Sequence, residues 1–248
     1  MKARKKLLTF LQGFIIFNIL WYLFSIKINM RILPKPTEVY LNMINLPNEN
    51  MYAHVLMSLY RIASGITISL ILGTLIGLLM AYSKSWNRIL NPLVYFTYPI
   101  PKTALLPMVM LLYGLGDKSK IIIIVLILIF QIIVAVRDAV LNIPQETYNP
   151  IKSLGASNLQ IFAHITLPAI LPELLTTLRL SIGTSLSILF FTEGYGTKYG
   201  IGYYILDAWT RISYLEMYAG IIIMSLLGFA LFILIDILEE NVCTWKNI

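Results

Sequence analysis

The chain has 248 residues, of which 58% are hydrophobic and only 12% are charged, and its mean hydropathy is +0.78. Soluble domains carry about 25% charged residues, so this composition excludes an ordinary soluble enzyme and predicts an integral membrane protein. The formal net charge of +7 is expected from basic residues that flank membrane spans and meet lipid headgroups. We do not expect nucleic acid as a partner, because binding it requires a cluster of basic residues on one face. The sequence has no such cluster beyond residues 2–6.

Six apolar runs are candidates for membrane-spanning helices, because about 18 or more apolar residues can cross a bilayer as a helix. They cover residues 7–26, 59–82, 92–113, 120–140, 174–193 and 216–238. The loops between them are too short for a soluble domain. We therefore predict one membrane domain over residues 1–248.

The first run follows a basic cluster at residues 2–6. It is longer than the apolar core of a signal peptide, about 7–15 residues, and it ends without an Ala-x-Ala cleavage site. Residues 1–26 are therefore expected to remain as an anchor whose basic start lies in the cytoplasm. With six spans, both termini and the loops near 83–91 and 141–173 are then cytoplasmic.

A short helix is predicted between the first two runs. Pro34 and Pro36 disfavour helix before them, and Thr37 is suited to begin a helix with Glu38 in its first turn. Apolar residues from Val39 onwards would share one face, so we expect this helix to lie on the outer membrane surface.

The second run contains Gly73 and Gly77, a small-xxx-small pair that lets two helix backbones approach closely in lipid. Two interpretations stay open at this point. The pair either packs within the chain or forms an interface with a second subunit.

The third run is interrupted by several prolines, and Lys102 follows Pro101 within it. Interior prolines break helices, and an intramembrane lysine is a functional candidate by default. One interpretation is a broken helix whose Pro101 and Lys102 face a translocation path for an anionic solute. The alternative is a span that starts near Ala104 and leaves Lys102 at the cytoplasmic interface.

Four further charged residues lie near predicted span ends, where interfacial exposure or local pairing is expected: Arg61, Arg179, Glu193 and Asp236. Glu193 is also a candidate for the translocation path, because a glycine- and tyrosine-rich segment follows it. We interpret residues 194–204 as a flexible external loop suited to close the outer mouth of a pore.

Motifs for self-contained catalysis are missing from the sequence. His54 and His164 have no metal-binding spacing, Cys243 is the single cysteine, and no Gly-x-Ser-x-Gly occurs. No Gly-x-x-x-x-Gly-Lys-Ser/Thr occurs either, so the chain lacks the loop that cradles nucleotide phosphates. We expect neither an enzyme nor a metal or cofactor site in this chain.

The polar segment between the fourth and fifth runs carries helix-spaced apolar residues that Gly155 interrupts. A glycine there can end a helix in the left-handed conformation or permit close backbone contact. Leu167, Pro168 and Pro172 then fix the chain direction before the fifth run. This pattern predicts two short cytoplasmic helices tethered to two membrane helices.

The segment resembles the cytoplasmic loop of permease subunits of ATP-binding-cassette (ABC) importers of the binding-protein-dependent class. The pattern of that family is Glu-Ala-Ala, three residues, Gly, nine residues and Ile-x-Leu-Pro, and Gly155, Ile165, Leu167 and Pro168 match it. Residues 149–151 are Asn-Pro-Ile in place of Glu-Ala-Ala. Segments 33–39, 99–102, 106–107, 114–116 and 200–203, with Glu193, are similar to the nitrate/sulfonate/taurine subgroup, whose relatives also carry thiamine precursors.

The resemblance implies an all-α integral membrane fold with about six transmembrane helices, a permease core over about 54–240, and a coupling helix between helices 4 and 5. It implies as partners cytoplasmic ABC ATPases that bind ATP and Mg, a second permease subunit in a homodimer, an extracytoplasmic solute-binding protein and the bilayer of a prokaryotic cell. The implied ATPase-coupling residues are Glu146, Asn149, Lys152, Leu154, Gly155, Ala156, Ser157, Phe162, Ile165, Leu167 and Pro168.

Two other functions are compatible with several apolar spans. A secondary transporter often shows inverted repeats and paired intramembrane ionisable residues, and no convincing repeat or acidic partner of Lys102 is evident. A non-transporting membrane subunit would be compatible with the altered Glu-Ala-Ala positions. Copurification with an ATPase and reconstituted ATP-dependent uptake separate these alternatives from an importer permease.

Overall fold

The computed structural model describes residues 2–28, 30–44 and 50–247. Its secondary structure over these residues is helical, without a strand. The helices are α1 (Lys2–Ile28), α2 (Pro36–Met43), α3 (Met51–Tyr82), α4 (Lys84–Thr97), α5 (Leu106–Tyr113), α6 (Asp117–Leu141), α7 (Gln145–Ser153), α8 (Asn158–Ile161), α9 (Leu167–Glu193), α10 (Ile201–Thr210) and α11 (Tyr214–Val242). A 3-10 turn, Lys102–Leu105, precedes α5, and a π-turn, Phe162–Thr166, joins α8 to α9.

Four helical runs within the described residues are long and apolar enough to cross a membrane: Met51–Tyr82, Asp117–Leu141, Asn158–Glu193 and Tyr214–Val242. Two shorter apolar helices, Gln12–Ile28 and Lys102–Tyr113, correspond to the first and third predicted runs. The all-helical architecture with several apolar spans is thus confirmed. The count of six spans stays a prediction.

Helix α6 forms the centre of the core and contacts α3, α5 and α9. Ile123, Leu128 and Ile132 of α6 are fully buried. The remaining residues of the aliphatic run from Ile121 to Ile129 are buried or half-buried, and a helix that is apolar on all sides is typical of a protein core or a membrane span.

Glycines let α3 approach α6 closely. A Cβ added to Gly73 would lie 2.8 Å from Cγ2 of Ile132, and one added to Gly77 would lie 2.9 Å from the Ile133 carbonyl oxygen. The two glycines therefore pack within the chain. The alternative of a second-subunit interface at this pair is wrong.

Helix α2 confirms the predicted short helix, but its N-cap is Lys35 and not Thr37, so it begins two residues earlier than predicted. Its fully buried Val39 packs in a cluster with Met51, Tyr204 and Ala219. These contacts hold α2 against α10 and α11.

The third apolar run breaks at its prolines, as predicted, but its first helix starts earlier than predicted. Helix α4 already begins at Lys84, capped by the Ser83 hydroxyl that accepts from the Trp86 N–H, so the loop predicted near 83–91 is helical. Val94 of α4 is buried against Met80 and Ile133. The helix ends at Thr97, ahead of Pro99 and Pro101, whose missing N–H groups cannot continue it.

The predicted flexible loop over residues 194–204 is also corrected. Helix α10 begins at Ile201, and Ile201, Tyr204 and Ile205 are buried. Tyr204 and Ile205 pack against α11 at Gly220. This apolar contact orders the second half of the segment. The glycine and tyrosine content of the segment does not indicate the helix.

Candidate functional site

The polar segment between α6 and α9 folds as two short helices, which we call the α7–α8 element (residues 145–161). Helix α7 is held by its buried Tyr148, whose hydroxyl lies within 3.5 Å of Thr166 Oγ1. The same Thr166 oxygen lies 2.7 Å from the hydroxyl of Tyr82, at the end of α3. The α7–α8 element is therefore tied to the ends of two apolar helical runs.

A Schellman motif ends α7 at Gly155. The Gly155 N–H donates to the Lys152 carbonyl at 3.0 Å, and the Ala156 N–H donates to the Ile151 carbonyl at 3.3 Å. Gly155 has φ of +78°, the left-handed conformation that this motif requires and that glycine adopts without a steric penalty. A Cβ at Gly155 would meet no atom within 4 Å. Its role within this chain is thus conformational.

A capping box starts α8 two residues later. The Ser157 N–H donates to Oε1 of Gln160 at 2.8 Å, and the Gln160 N–H donates to the Ser157 hydroxyl at 3.4 Å. This exchange satisfies N–H groups that a helix start otherwise leaves unpaired. The Schellman motif and the capping box together fix the sharp turn between the two helices.

Two large apolar side chains project from this polar turn. Leu154 is 86% exposed and Leu159 is 76% exposed. Glu146, Asn149, Lys152 and Ser157 are exposed on the same element, and Ala156 is half-buried. A cavity of about 770 Å³ lies beside it, lined among others by Tyr82, Leu141, Tyr148, Leu159 and Phe162. Exposed apolar groups rimmed by polar ones are typical of a protein-binding surface.

The π-turn makes α8 and α9 one helical run. The Leu167 N–H donates to the carbonyl of Phe162, five residues earlier, and the run extends without a break from Asn158 to Glu193. Phe162, Ile165 and Pro168 are half-buried along it, while Leu167 is 39% exposed. Four of the eleven predicted coupling residues therefore lie on this run, and the other seven precede it on α7 and the turn after α7.

Lys102 lies at the break between α4 and α5. Its ammonium group donates to the carbonyls of Thr97 and Tyr98, at 2.7 Å each. It also lies 5.1 Å from the ring centroid of Phe130, in the middle of α6. Lys102 is half-buried and the preceding Pro101 is exposed. This geometry agrees with a broken helix that places a cation near half the depth of a span.

Glu193 is enclosed at the opposite end of the bundle from the α7–α8 element. It forms an ion pair with Arg61, which also donates to Asp117 at 2.6 Å through Nη2. The Ser58 hydroxyl and the Gly202 N–H donate to its carboxylate at 2.9 and 2.8 Å. Glu193 has no exposed surface, so within this chain it acts as an anchor for the segment that follows it.

The surroundings of Glu193 include residues that sequence reasoning missed. Ser58 and Asp117 are not among the predicted site residues, and His54, which has no metal-binding spacing, places its Nδ1 2.9 Å from the Gly200 carbonyl oxygen. The spacing of His54, Ser58 and Arg61 places them on one helix face, which is the signal that was available. The expected pairing of Arg179 is also present, with Asp236 and Glu239.

Among the described residues, no cluster of three or more His, Cys, Asp or Glu side chains could hold a metal ion. Glu193 and Arg179 both pair with charged side chains of the same chain. The exposed α7–α8 element and the broken helix at Lys102 are therefore the two candidate functional features.

A family model described as "Binding-protein-dependent transport system inner membrane component" matches residues 65–242. The chain belongs to this family. It is thus a permease subunit of an ABC importer, a multi-pass membrane protein of a prokaryote. The matched region contains both the Lys102 break and the α7–α8 element.

Two curated relatives are similar over nearly the whole chain. The formylaminopyrimidine transport permease protein ThiX of Halalkalibacterium halodurans is 28% identical, with 94% of each chain covered. The taurine transport system permease protein TauC of Escherichia coli is 27% identical, with 87% of this chain and 80% of TauC covered.

A solved structure shares the fold. It is that of a bacterial alginate ABC transporter in complex with an alginate pentasaccharide-bound periplasmic protein. One of its chains superposes with a TM-score of 0.67 at 16% identity, with 98% of this chain and 96% of that chain covered.

Proposed function

We propose that this permease crosses the membrane six times and binds a separate ABC ATPase through the α7–α8 element, with both termini and that element in the cytoplasm. The observation that carries the proposal is the exposed pair Leu154 and Leu159 on a turn fixed by Gly155 and Ser157. A rigid turn that presents apolar side chains loses little conformational entropy when it binds a cleft. Burial of the two leucines in the ATPase would supply the driving force for association.

The energy source in this proposal is a partner, because the sequence has no phosphate-binding loop of its own. ATP and Mg would bind to the ATPase. Closure of two ATPases around nucleotide would displace the α7–α8 element and favour one of two conformations of the permease. Transport by alternating access then follows from the different affinities of the partners for the two conformations.

A second copy of this chain is the proposed partner in the membrane, and an extracytoplasmic binding protein would deliver the solute. The broken helix supports this arrangement, because Pro101, which precedes Lys102, and Leu111 on the following helix α5 are exposed. Irregular backbone at membrane depth is tolerated where it is covered by protein or lines a cavity. Two copies facing each other at this break would enclose such a cavity.

The proposed solute is a small organic compound, with an alkanesulfonate favoured over a neutral ring compound. Lys102 supports the preference, since a cation near half-depth offsets the cost of taking an anion out of water. A formylaminopyrimidine or another thiamine precursor is the second candidate, because ThiX is the relative with the greatest coverage reported above.

The experiment that tests the coupling role replaces Gly155. We expect Gly155→Arg to insert normally in the membrane and to abolish solute-stimulated ATP hydrolysis and uptake, because a bulky side chain at positive φ disturbs the turn and the docking surface. The measurement is ATPase activity and uptake in proteoliposomes that contain the permease, its ATPase and its binding protein.

Gly155→Asn is the matched control. Asparagine tolerates the left-handed conformation better than other side chains and adds little bulk, so it should keep most of the coupling. Normal solute-stimulated ATPase activity in Gly155→Arg would refute the assignment of this turn as the ATPase-binding element.

A further inference from the structure

A long apolar groove runs between α1 and α11. Its cavity volume is about 740 Å³. Its walls are formed by aromatic and aliphatic side chains, among them Phe17, Phe24, Leu33, Ile222 and Leu226. Trp21 closes its floor by stacking on Tyr218, with ring centroids 5.6 Å apart, and by donating to the Pro34 carbonyl at 3.1 Å.

The groove is long enough to hold the part of an acyl chain that crosses one lipid leaflet. It follows α1 over residues 14–28, which is about 21 Å at about 1.5 Å per residue. Half of the roughly 30 Å hydrocarbon core is about 15 Å. Water molecules between these apolar walls would lack hydrogen-bond partners. An empty groove would lose dispersion contacts along its whole length. An acyl chain matches both the length and the chemistry.

A second, polar pocket adjoins one end of the groove at Leu33. This pocket has a cavity volume of about 500 Å³, and Leu33 lines both cavities. Arg31 and Lys35 line the polar pocket and are exposed, and among the described residues neither forms an ion pair with an acidic side chain. Glu38 is the acidic residue of this pocket, and its carboxylate accepts from the backbone N–H of Lys35 at 3.4 Å. Two cations against one carboxylate leave the pocket net positive.

We propose that the two cavities form one binding site for an anionic phospholipid. The acyl chain lies in the α1–α11 groove, and the anionic headgroup contacts Arg31 and Lys35. The charge of the pocket favours phosphatidylglycerol over zwitterionic phosphatidylcholine, since each basic residue at a membrane surface attracts anionic lipid. The bound lipid would complete the contact between α1 and α11.

The headgroup test measures lipid retention on the purified permease by native mass spectrometry after addition of phosphatidylglycerol or phosphatidylcholine. We expect Arg31→Gln combined with Lys35→Gln to lower phosphatidylglycerol retention about tenfold and to leave phosphatidylcholine retention unchanged. Lys118→Gln combined with Lys198→Gln is the matched control, because both lysines are exposed at the same end of the bundle and neither lines the pocket. Equal retention of both lipids by the unmodified permease would overturn the proposal.

The groove test fills the acyl-chain cavity. Leu226→Trp should lower retention of both lipids, whereas Leu234→Trp, two turns further along α11 and equally exposed to lipid at 52% against 51%, should have no effect. The same samples report the oligomeric state. If Leu226→Trp changes the oligomeric state and not lipid retention, the groove binds a second copy of the chain and the proposal is wrong.

Discussion

At the residue scale, Arg61 and Glu193 show how the chain places charges inside a membrane protein. Both side chains are nearly inaccessible, at 3% and 0% exposure. Removal of water from an ion is costly, and the cost is offset only where each charge has a partner and further hydrogen bonds. Arg61 has two carboxylates and the Tyr199 carbonyl, and Glu193 has Ser58 and the Gly202 N–H.

We predict that Glu193→Gln destabilises the folded permease by about 3 kcal/mol, because loss of one partner leaves the buried Arg61 guanidinium undercompensated. The measurement is the free energy of unfolding in mixed micelles. Asp207→Asn is the control, since Asp207 pairs with Arg211 at a site where both are more than a third exposed; there we expect less than about 1 kcal/mol. Similar losses for both variants would contradict the anchoring role of Glu193.

The pairing of Arg61 with Glu193 was predictable only in kind. The sequence indicated local pairing near span ends, but the partners are separated by 132 residues, and no periodicity links positions so distant. Gly200 and Gly202 are the sequence features that indicate this distant contact. A Cβ at Gly202 would lie 2.8 Å from the Phe190 Cα, so these glycines mark a backbone segment pressed against the end of α9.

Lys102 belongs to the same scale. We predict that Lys102→Met lowers uptake of an alkanesulfonate such as ethanesulfonate about tenfold, because the methionine side chain has no charge to offset that of the anion. Lys102→Arg should keep most of the uptake. Both variants are compared in proteoliposomes for uptake and for membrane insertion. Unchanged uptake by Lys102→Met would show that the lysine has no role in transport and only donates hydrogen bonds to the carbonyls at the end of α4.

At the scale of elements, the close contact between α3 and α6 depends on glycines, which have no side chain to hold the two helices apart. We predict that Gly73→Ala destabilises the permease by about 1–3 kcal/mol, because the new Cβ must displace Ile132 in a close-packed interface. Gly183→Ala is the control; its Cβ would meet only Phe232, at 4.0 Å, so the better helix propensity of alanine should leave stability unchanged or slightly raised.

A double variant tests the stated cause of the Gly73 effect. Ile132→Ala removes the Cγ2 atom that the new Cβ would approach to 2.8 Å but keeps the Cβ atom at 2.9 Å, so the cost of Gly73→Ala should fall in part, and not fully, in that background. Additive losses would show that the methyl group acts elsewhere. Thermal unfolding followed by tryptophan fluorescence reports both values.

Element boundaries followed from the sequence where backbone chemistry decides them. Pro99 and Pro101 predicted the break in the third run, and Gly155 predicted the end of α7. Helix α10 was missed because local composition argued for a loop, while its helical state depends on contacts of Tyr204 and Ile205 with α11. Tertiary contacts of this kind leave no mark in a short window of sequence.

At the scale of the whole molecule, the orientation rests on the basic N-terminus and on the proposed six spans. We predict that a cysteine at Lys118 is labelled by an impermeant maleimide on intact cells, whereas one at the exposed Lys84, at the same end of the bundle as the α7–α8 element, is labelled only after permeabilisation. The background is Cys243→Ala, which removes the single native cysteine. The reverse labelling pattern would show that the orientation is the opposite of the proposed one and that the α7–α8 element does not lie in the cytoplasm.

The unbroken helical run from Asn158 to Glu193 has a mechanical consequence. Its 36 residues extend about 54 Å at about 1.5 Å per residue. One end carries the exposed Leu159, and the other end carries the carboxylate that binds Arg61 and the Gly202 N–H. Under the proposed function, a tilt imposed at the leucine end would displace the segment around Gly200 at the opposite end of the bundle. The π-turn and Pro172 are the places where this run would bend, but the movement would still pass along one continuous helix and through no loop.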